Sequence, residues 1–274
     1  MQYNKELKTR YGPWALVTGA SSGIGKEFAA QLAAAGLNVI IAARNKPALD
    51  EHAATLKKNH GILVKTVQID LAEPEAAKTL QQATDGIEVG LLVNNAGAEN
   101  HGSFLGIDRD DETRIIQLNV MAPMQLAHIY GQEMSARSRG GIIFVSSMFG
   151  YQAVPYVANY AATKAYILAL GESLNYELRP HGIDVTVLSP GLTDTAMPKK
   201  MEESGVDFSK TPMKMMGVGP VVETALKAFG KKSSVIPGKM NNIMDFMGKR
   251  IMTRAGNASM FGGIMKKALS KNLI

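Results

Sequence analysis

Short runs of Val, Ile, Leu and Ala alternate with helical patterns along nearly the whole chain, and few folds accommodate that rhythm. WALVT (14–18), NVIIAA (38–43), LVKTVQI (63–69), GLLVN (90–94), GIIFVSS (141–147), IDVTVLS (183–189) and SSVIP (233–237) read as strands. Most are continuously apolar, which suits strands covered on both faces. Helical patterns fill the gaps at 23–35, 47–58, 74–84, 111–135, 158–178 and 219–229. Strand, helix and strand in succession mean parallel neighbours joined by crossover helices. The expected fold is α/β: a single domain on a doubly wound parallel sheet of about seven strands, with helices on both faces. That body spans 1–238, with no internal repeat, low-complexity segment or linker. It carries an irregular insertion near 191–217, and a Met-rich tail follows at 239–274.

The first strand runs directly into TGASSGIG, Thr18 to Gly25, which opens the first helix. Gly19, Gly23 and Gly25 permit a tight turn and a close approach of backbone to ligand. Free N–H groups and the positive end of the helix then face an anion, and in a first βα turn that anion is a pyrophosphate. Thr18, Ser21, Ser22 and Ile24 complete the loop. The spacing is G-x-x-x-G-x-G rather than G-x-G-x-x-G, so its place between strand and helix carries the reading. The same letters contain GASSG, a match to the nucleophile elbow of serine hydrolases with Ser21 as nucleophile. An elbow on the first strand leaves nothing upstream to supply an oxyanion hole, and of five histidines only His181 follows the later strands. A glycine-rich turn without ligand is the third reading.

An acid at the end of the second strand would hold a ribose 2′-hydroxyl. Here the strand ends Ala42-Ala43-Arg44-Asn45. Arg44, with Asn45 beside it, suits a 2′-phosphate through forked, charge-assisted hydrogen bonds, which favours NADP(H) over NAD(H). The plain alternative is a solvated arginine at a helix start. Asp70, ending the third strand next to Leu71, can accept from an adenine amino group or cap the following helix.

The net charge of +6 is uneven: 239–274 holds seven basic residues and one acid, Asp245, leaving 23 of each sign in 1–238. A neutral body lacks the basic face that nucleic-acid phosphates require. Cysteine is absent, which excludes disulfides and thiolate metal sites. His and acidic residues do not cluster at ligand spacing, so no metal is expected. The polar start MQYNKELKTRYG, with no apolar run of ~18 residues anywhere, gives a cytoplasmic expectation.

In YAATK (160–164), a helix places Tyr160 and Lys164 on one face, about 5–6 Å apart at Cβ. A phenol titrates near ~10 and a neighbouring cation favours its ionised form, so Tyr160 is a candidate general acid–base. Alone, the pair is a weak signal.

Taken in order, TGASSGIG (18–25), Asp70, NNAG (94–97), Asn119, Ser146-Ser147, YAATK (160–164) and PGLTDT (190–195) resemble the short-chain dehydrogenase/reductase family, over roughly residues 12–238. The resemblance implies a Rossmann-type fold and an NADP(H)-dependent interconversion of carbonyl and alcohol. It implies Tyr160 as proton donor to the carbonyl oxygen, and Lys164 as the group that lowers its pKa and holds the nicotinamide ribose. Family spacing selects Ser147 over Ser146 as the hydroxyl that steadies the developing oxyanion. Asn119 would hold a water linking Lys164 to solvent. Asn94 would stabilise the central strands, while Asn95, Ala96 and Gly97 line the adenosine side of the cleft. Pro190, Gly191, Thr193 and Thr195 would cradle the nicotinamide end and the pyrophosphate. A homodimer or homotetramer through the 111–135 and 158–178 helices is the family expectation. Read singly, Ser147 and Asn119 serve equally well as partners of local backbone. A catalytically silent NADP(H)-binding regulator is the alternative of a different class, and the intact Asn119, Ser147, Tyr160 and Lys164 set argues against it.

The substrate pocket should draw on 98–104, 148–156 and 192–217. These segments supply Met148, Phe149, Tyr151, Val154, Tyr156, Met197, Met201, Met213, Met215 and Met216. Methionine adapts to irregular apolar shapes, which points to a bulky carbonyl compound: a 3-oxoacyl thioester, a steroid-like ketone or a lipid aldehyde. Methionines that merely pack a lid are the competing reading. Glu99 and His101 read as exposed loop residues, with substrate contact the other option. In the tail, Met240, Ile243, Met244, Met247 and Ile251 fall at helical spacing near Lys249, Arg250 and Arg254. Such a face packs on the body or a partner subunit, the favoured reading, or lies peripherally on an anionic membrane.

Overall fold

Seven parallel strands form one sheet in the order β3-β2-β1-β4-β5-β6-β7. They are β1 Trp14–Thr18, β2 Asn38–Ala43, β3 Val64–Gln68, β4 Val89–Asn94, β5 Gly140–Val145, β6 Ile183–Leu188 and β7 Ser234–Val235. The helices are α1 Gln2–Tyr11, α2 Gly23–Ala34, α3 Lys46–His60, α4 Ala76–Ala83, α5 Arg109–Ile116, α6 Ala122–Ala136, α7 Ala158–Leu178, α8 Ala196–Glu203, α9 Val218–Ala228, α10 Lys239–Arg250 and α11 Arg254–Ala268. The structure, a computed structural model, describes residues 2–273; the side chains of 2–5, Lys249 and Asn272 lie outside the description.

Side chains of a strand alternate between the faces of a sheet, and here both faces are apolar. Ala15 and Val17 of β1 join α1, α2, α3 and α9 in one core, through Leu7, Phe28, Leu32, Leu49 and Val222 among others. Leu16, between them, faces a second core with α4, α6 and α7, built on Leu80, Leu126, Tyr130, Phe144 and Ile167. The central strands β4 and β5 are buried along their whole length, as two-sided cover requires. The edge strand β3 reads VKTVQ and is mostly half-buried or exposed.

The sequence starts β1, β2, β3 in one direction and then returns to place β4 on the other side of β1. That reversal opens a crevice at the carboxyl ends of β1 and β4, where open α/β sheets bind ligands.

Two features depart from the sequence expectation, and a third, the tail, follows the reading in which it packs on the body. The 111–135 helix is interrupted by a π-helical turn, Gln117–Met121, ahead of Pro123. Proline lacks the N–H that an unbroken ladder needs, and its carbonyl instead accepts from Asn94 Nδ2 at 3.1 Å. The polar N-terminus forms α1, whose Tyr11 stacks on Phe229 with ring centroids 4.5 Å apart. Its hydroxyl donates to Asp184 Oδ2 at 2.6 Å, beside Arg10. The tail forms α10 and α11, and α11 folds back onto the body: Phe261 and Met265 pack with Val154, Val157 and Ala161. Ala268 and Leu269 pack with Met201, Val206 and Phe208 of the insertion.

Candidate active site

A cleft of about 800 Å³ lies in this crevice. Its first wall is backbone. Gly19 adopts φ +67° and Gly23 φ +54°, so the chain turns sharply out of β1 into α2. Gly25 is required by proximity: a Cβ there would sit 2.4 Å from both the Gly19 carbonyl oxygen and Asn95 Nδ2. Asn95 Nδ2 in turn donates to the Thr18 carbonyl at 2.9 Å. Ser22 is the N-cap of α2 and its side chain makes no cap bond, which leaves the first-turn N–H groups open to an anion. Ser21, Ser22, Ile24, Asn95, Ala96, Gly97, Pro190, Gly191, Thr193 and Thr195 all line the same cleft. The loop, the helix terminus and the absence of bulk fit a dinucleotide.

Two expected loop residues sit behind that surface. Thr18 is buried, and its Oγ1 accepts from the backbone N–H groups of Asn95 and Ala96 at 3.0 Å each. It fixes the register between β1 and the turn after β4 and does not line the cleft. Gly25 is likewise buried beneath the loop.

At the end of β2, Arg44 lines the cleft with its side chain 65% exposed, and its Nη1 lies 3.9 Å from Asp70 Oδ2. Asp70 is more tightly engaged by Arg114, and its Oδ1 accepts from Ala72 N at 3.0 Å. Asp70 therefore stabilises its own turn while lining the cleft beside Leu71. Asn45 also lines it, and caps α3 by accepting from Ala48 N at 3.1 Å. The Arg44 guanidinium is left mostly to solvent.

The floor holds the titratable groups. Lys164 is 5% exposed on α7, and its Nζ donates to the Val145 carbonyl at 2.9 Å and lies 5.6 Å from the centre of the Tyr160 ring. Burial brings this ammonium down to about 8. Burial pushes the Tyr160 phenol up to about 12, eased by the Ser147 hydroxyl and reinforced by the charge of Glu99. Desolvation sets the direction, opposite to the acidification expected from a neighbouring cation, and Tyr160 is protonated at neutral pH. The two serines separate by role. Both line the cleft, but the Ser146 side chain is buried and its hydroxyl donates to the Lys164 carbonyl at 2.7 Å, whereas the less buried Ser147 accepts from Phe149 N at 3.2 Å.

Asn119 sits in the π turn, 1% exposed, and its side chain is spent locally. Its Nδ2 donates to the Ala98 carbonyl at 2.9 Å and to Thr163 Oγ1 at 3.1 Å, while Oδ1 accepts from Ala98 N at 3.0 Å. It ties the turn after NNAG to α7.

The second wall is made of side chains. Met148, Phe149 and Met197 line it as expected from their segments, with Met201 and Met213. Tyr151 and Tyr156 do not. Tyr151 ends the 3-10 turn after Ser147, packs against the second core and directs its hydroxyl to Ser189 and Ser234. Tyr156, at φ +68°, packs between the two small clusters that seat α11 and accepts from Gly102 N through its carbonyl. Val154 is buried in one of those clusters, Met215 is exposed and Met216 joins the main core. Lining residues missed in the sequence include Asn241 and Met244 of α10 and Phe261 of α11, while Glu99 lines the cleft as the less favoured of its two readings had it. Phe261 stands edge-on to Phe149 at 6.2 Å. Apolar spacing in the tail signals a packed helix, but nothing local says which cleft it reaches.

Known proteins match this arrangement. The model of the short chain dehydrogenase family matches residues 13–205. The chain is 31% identical to the 7beta-hydroxysteroid dehydrogenase of Collinsella aerofaciens over 241 residues, covering 86% of this chain and 89% of that one. It is 35% identical to the very-long-chain 3-oxoacyl-CoA reductase of Phaeosphaeria nodorum over 217 residues, covering 75% of this chain and 64% of that one. A solved 7beta-hydroxysteroid dehydrogenase structure superposes with a TM-score of 0.84 at 29% identity, over 93% of this chain and 98% of the other. With the sheet order, the glycine loop and the Ser147, Tyr160 and Lys164 floor already in place, these matches make the chain a member of the short-chain dehydrogenase family, oxidoreductases that use a nicotinamide dinucleotide.

Proposed function

We propose that this protein is an NADP(H)-dependent carbonyl reductase and alcohol dehydrogenase acting on a bulky, largely apolar substrate. The observation that carries the reading is the floor of the cleft: a protonated phenol and a hydroxyl beside a buried ammonium, between a phosphate-ready loop and an apolar wall. NADPH, when bound, supplies the hydride. The chain supplies the rest. Ser147 donates to the substrate carbonyl oxygen, Tyr160 delivers the proton to that oxygen as charge develops, and Lys164 offsets the phenolate left behind. The α2 N-terminus and the glycine loop hold the pyrophosphate, and Arg44 receives the 2′-phosphate. Asn119 positions the turn at Ala98 and, through the π turn, the end of α7.

The lining of the second wall, with Phe149, Phe208 and Phe261 among its methionines, supports a steroid-like ketone first and a long-chain 3-oxoacyl thioester second. NADPH oxidation with a panel of keto-steroids, 3-oxoacyl thioesters and aromatic aldehydes tests this, with NADH and Tyr160→Phe as controls. Turnover that Tyr160→Phe abolishes sustains the reading. Tight NADPH binding with no turnover would return weight to a silent regulator.

For partners, α5 and α7 leave Ile116, Tyr166 and Tyr176 exposed, which supports a homodimer or homotetramer through these helices. The outer face of α10 exposes Met240, Ile243, Phe246 and Met247. It is the part of the extension open to a membrane surface, and sedimentation with anionic vesicles tests that contact. No helix among the described residues is long and apolar enough to cross a membrane.

A further inference from the structure

On the substrate side of the cleft, Glu99 breaks the apolar pattern. Its side chain is 10% exposed and it follows Gly97 by two residues, at the same floor as Tyr160 and Lys164. Burying a carboxylate is costly unless its oxygens find partners. Among the described residues Oε2 has one, His101 Nδ1 at 3.0 Å, and Oε1 is not enclosed by the protein. His101 is 11% exposed, and its Nε2 lies 2.8 Å from Ser204 Oγ, just past α8 of the insertion. The imidazole thus fixes the carboxylate and is itself held by the lid. Glu99 makes no other hydrogen bond among the described residues.

We propose that Glu99 forms a polar subsite in which Oε1 accepts a hydrogen bond from a hydroxyl group of the substrate. The preferred substrate is then a bulky ketone that carries a hydroxyl, not a plain hydrocarbon ketone or an unsubstituted acyl chain. A cationic group is opposed by the buried Lys164 and by Lys200, which also lines the cleft. A hydroxyl brings no charge to desolvate and gains a charge-assisted bond. Sites built to bond a hydroxyl also reject analogues that lack it, since a buried polar group is then left unpaired. This inference rests on the carbonyl-reductase reading above.

The test compares kcat/KM for NADPH-dependent reduction across keto-steroids of one skeleton: a parent without hydroxyl, and isomers with a single ring hydroxyl at different positions. Wild type is expected to favour at least one hydroxylated isomer by roughly 10- to 100-fold. Glu99→Met should bring that ratio to about one, and Glu99→Gln, which keeps a hydrogen bond to His101, to an intermediate value. Each variant is scored by its own ratio of hydroxylated isomer to parent, so a change in turnover common to all ketones leaves the reading unaffected. If Glu99 only tethers the lid, His101→Asn would erase the ratio as fully as Glu99→Met does; here it should shift all substrates alike. A wild type that favours no hydroxylated isomer, or a ratio that survives in Glu99→Met, overturns the subsite and leaves the reductase reading intact. Failure to reduce any ketone, parent included, while NADPH still binds would instead defeat the reductase reading, and the subsite with it.

Discussion

On the wall built by β1, β2 and β4, backbone meets the ligand: three glycines, a helix terminus and the turn at Asn95 to Gly97 set the shape. On the wall built by the insertion and the extension, side chains do so, and Met197, Phe208, Met244 and Phe261 come from four separate elements. The first wall tolerates almost no substitution at its glycines, because a Cβ at Gly19 or Gly25 would meet backbone and Gly19 and Gly23 hold positive φ. The second is a packing problem that many apolar sets can solve. One wall is therefore fixed by stereochemistry and the other is free to specialise. The comparison predicts that changes on the first wall alter cofactor binding and changes on the second alter substrate choice. Tyr160 and Lys164, between them, belong to both.

The largest effect is expected at that junction. Tyr160→Phe should lower kcat by ~10³-fold, within the range for a lost general acid, while the Kd for NADPH stays within about threefold. Stopped-flow hydride transfer and a fluorescence titration measure the two. A parallel loss of NADPH affinity would place the phenol on the cofactor wall alone. Next in size is Phe261→Ala, which empties a residue 7% exposed between Phe149 and the Met265 cluster. Losing it should cost about 3 kcal/mol of stability, read by urea unfolding, and raise KM for bulky ketones with little change in NADPH affinity. Weakened NADPH binding instead would break the division between the walls.

The same division decides what the sequence reveals. The order of strands and helices is legible because a two-faced sheet demands continuous apolar runs, and WALVT, GLLVN and IDVTVL comply. The glycine loop is legible because only glycine allows the Gly19 carbonyl to pass over α2, so geometry is written into residue type. The second wall is not legible in this way. Phe261 reaches the cleft through a cluster with Val154, Val157 and Ala161, contacts that no local spacing encodes. Glu99 reads as an exposed loop residue until His101 and Ser204 are seen to enclose it. Tyr151 and Tyr156 fail for a related reason: proximity in sequence to Ser147 does not give direction, and a 3-10 turn followed by a positive φ turns both away. The Tyr160 phenol is legible as a residue, but the sign of its shift is set by burial, which sequence spacing does not give.

Arg44→Asp sharpens the comparison from the cofactor side. It removes the guanidinium and places an acid at the end of β2, so the ratio of NADPH to NADH affinity should fall by roughly 10- to 100-fold. Equal losses for both nucleotides would remove Arg44 from 2′-phosphate binding. KM for ketone should not move, since Arg44 touches only the first wall.

Lys164 gives a smaller, graded effect through pH. Burial holds its ammonium below the ordinary lysine value, at about 8, so its charge is complete below that pH and lost as pH rises through it. If that charge offsets the tyrosinate formed during reduction, kcat for reduction falls above about 8, approaching tenfold per pH unit. The phenol, pushed up to about 12, stays protonated over the same interval and adds no limb of its own. Because Lys164 serves both walls, the limb should appear with every substrate. A limb that changes with the ketone would assign it to a substrate-side group instead.

The smallest effect isolates what a glycine is for on each wall. Gly263 lies exposed within α11 at an ordinary helical conformation, and a Cβ there meets nothing within 4 Å. Alanine at such a site restricts the unfolded chain and favours the helix, so Gly263→Ala should stabilise the protein by roughly 0.5–1 kcal/mol without touching NADPH affinity. Gly25 is also helical, yet its Cβ would sit 2.4 Å from the Gly19 carbonyl oxygen. Gly25→Ala should therefore destabilise the fold and weaken NADPH binding, as the loop is pushed off the helix terminus that receives the pyrophosphate. The same substitution then runs in opposite directions in thermal melts of the two variants. A Gly263→Ala variant that lost stability would mean that α11 needs a close neighbour at that point, and that the extension is constrained by contact as tightly as the nucleotide loop.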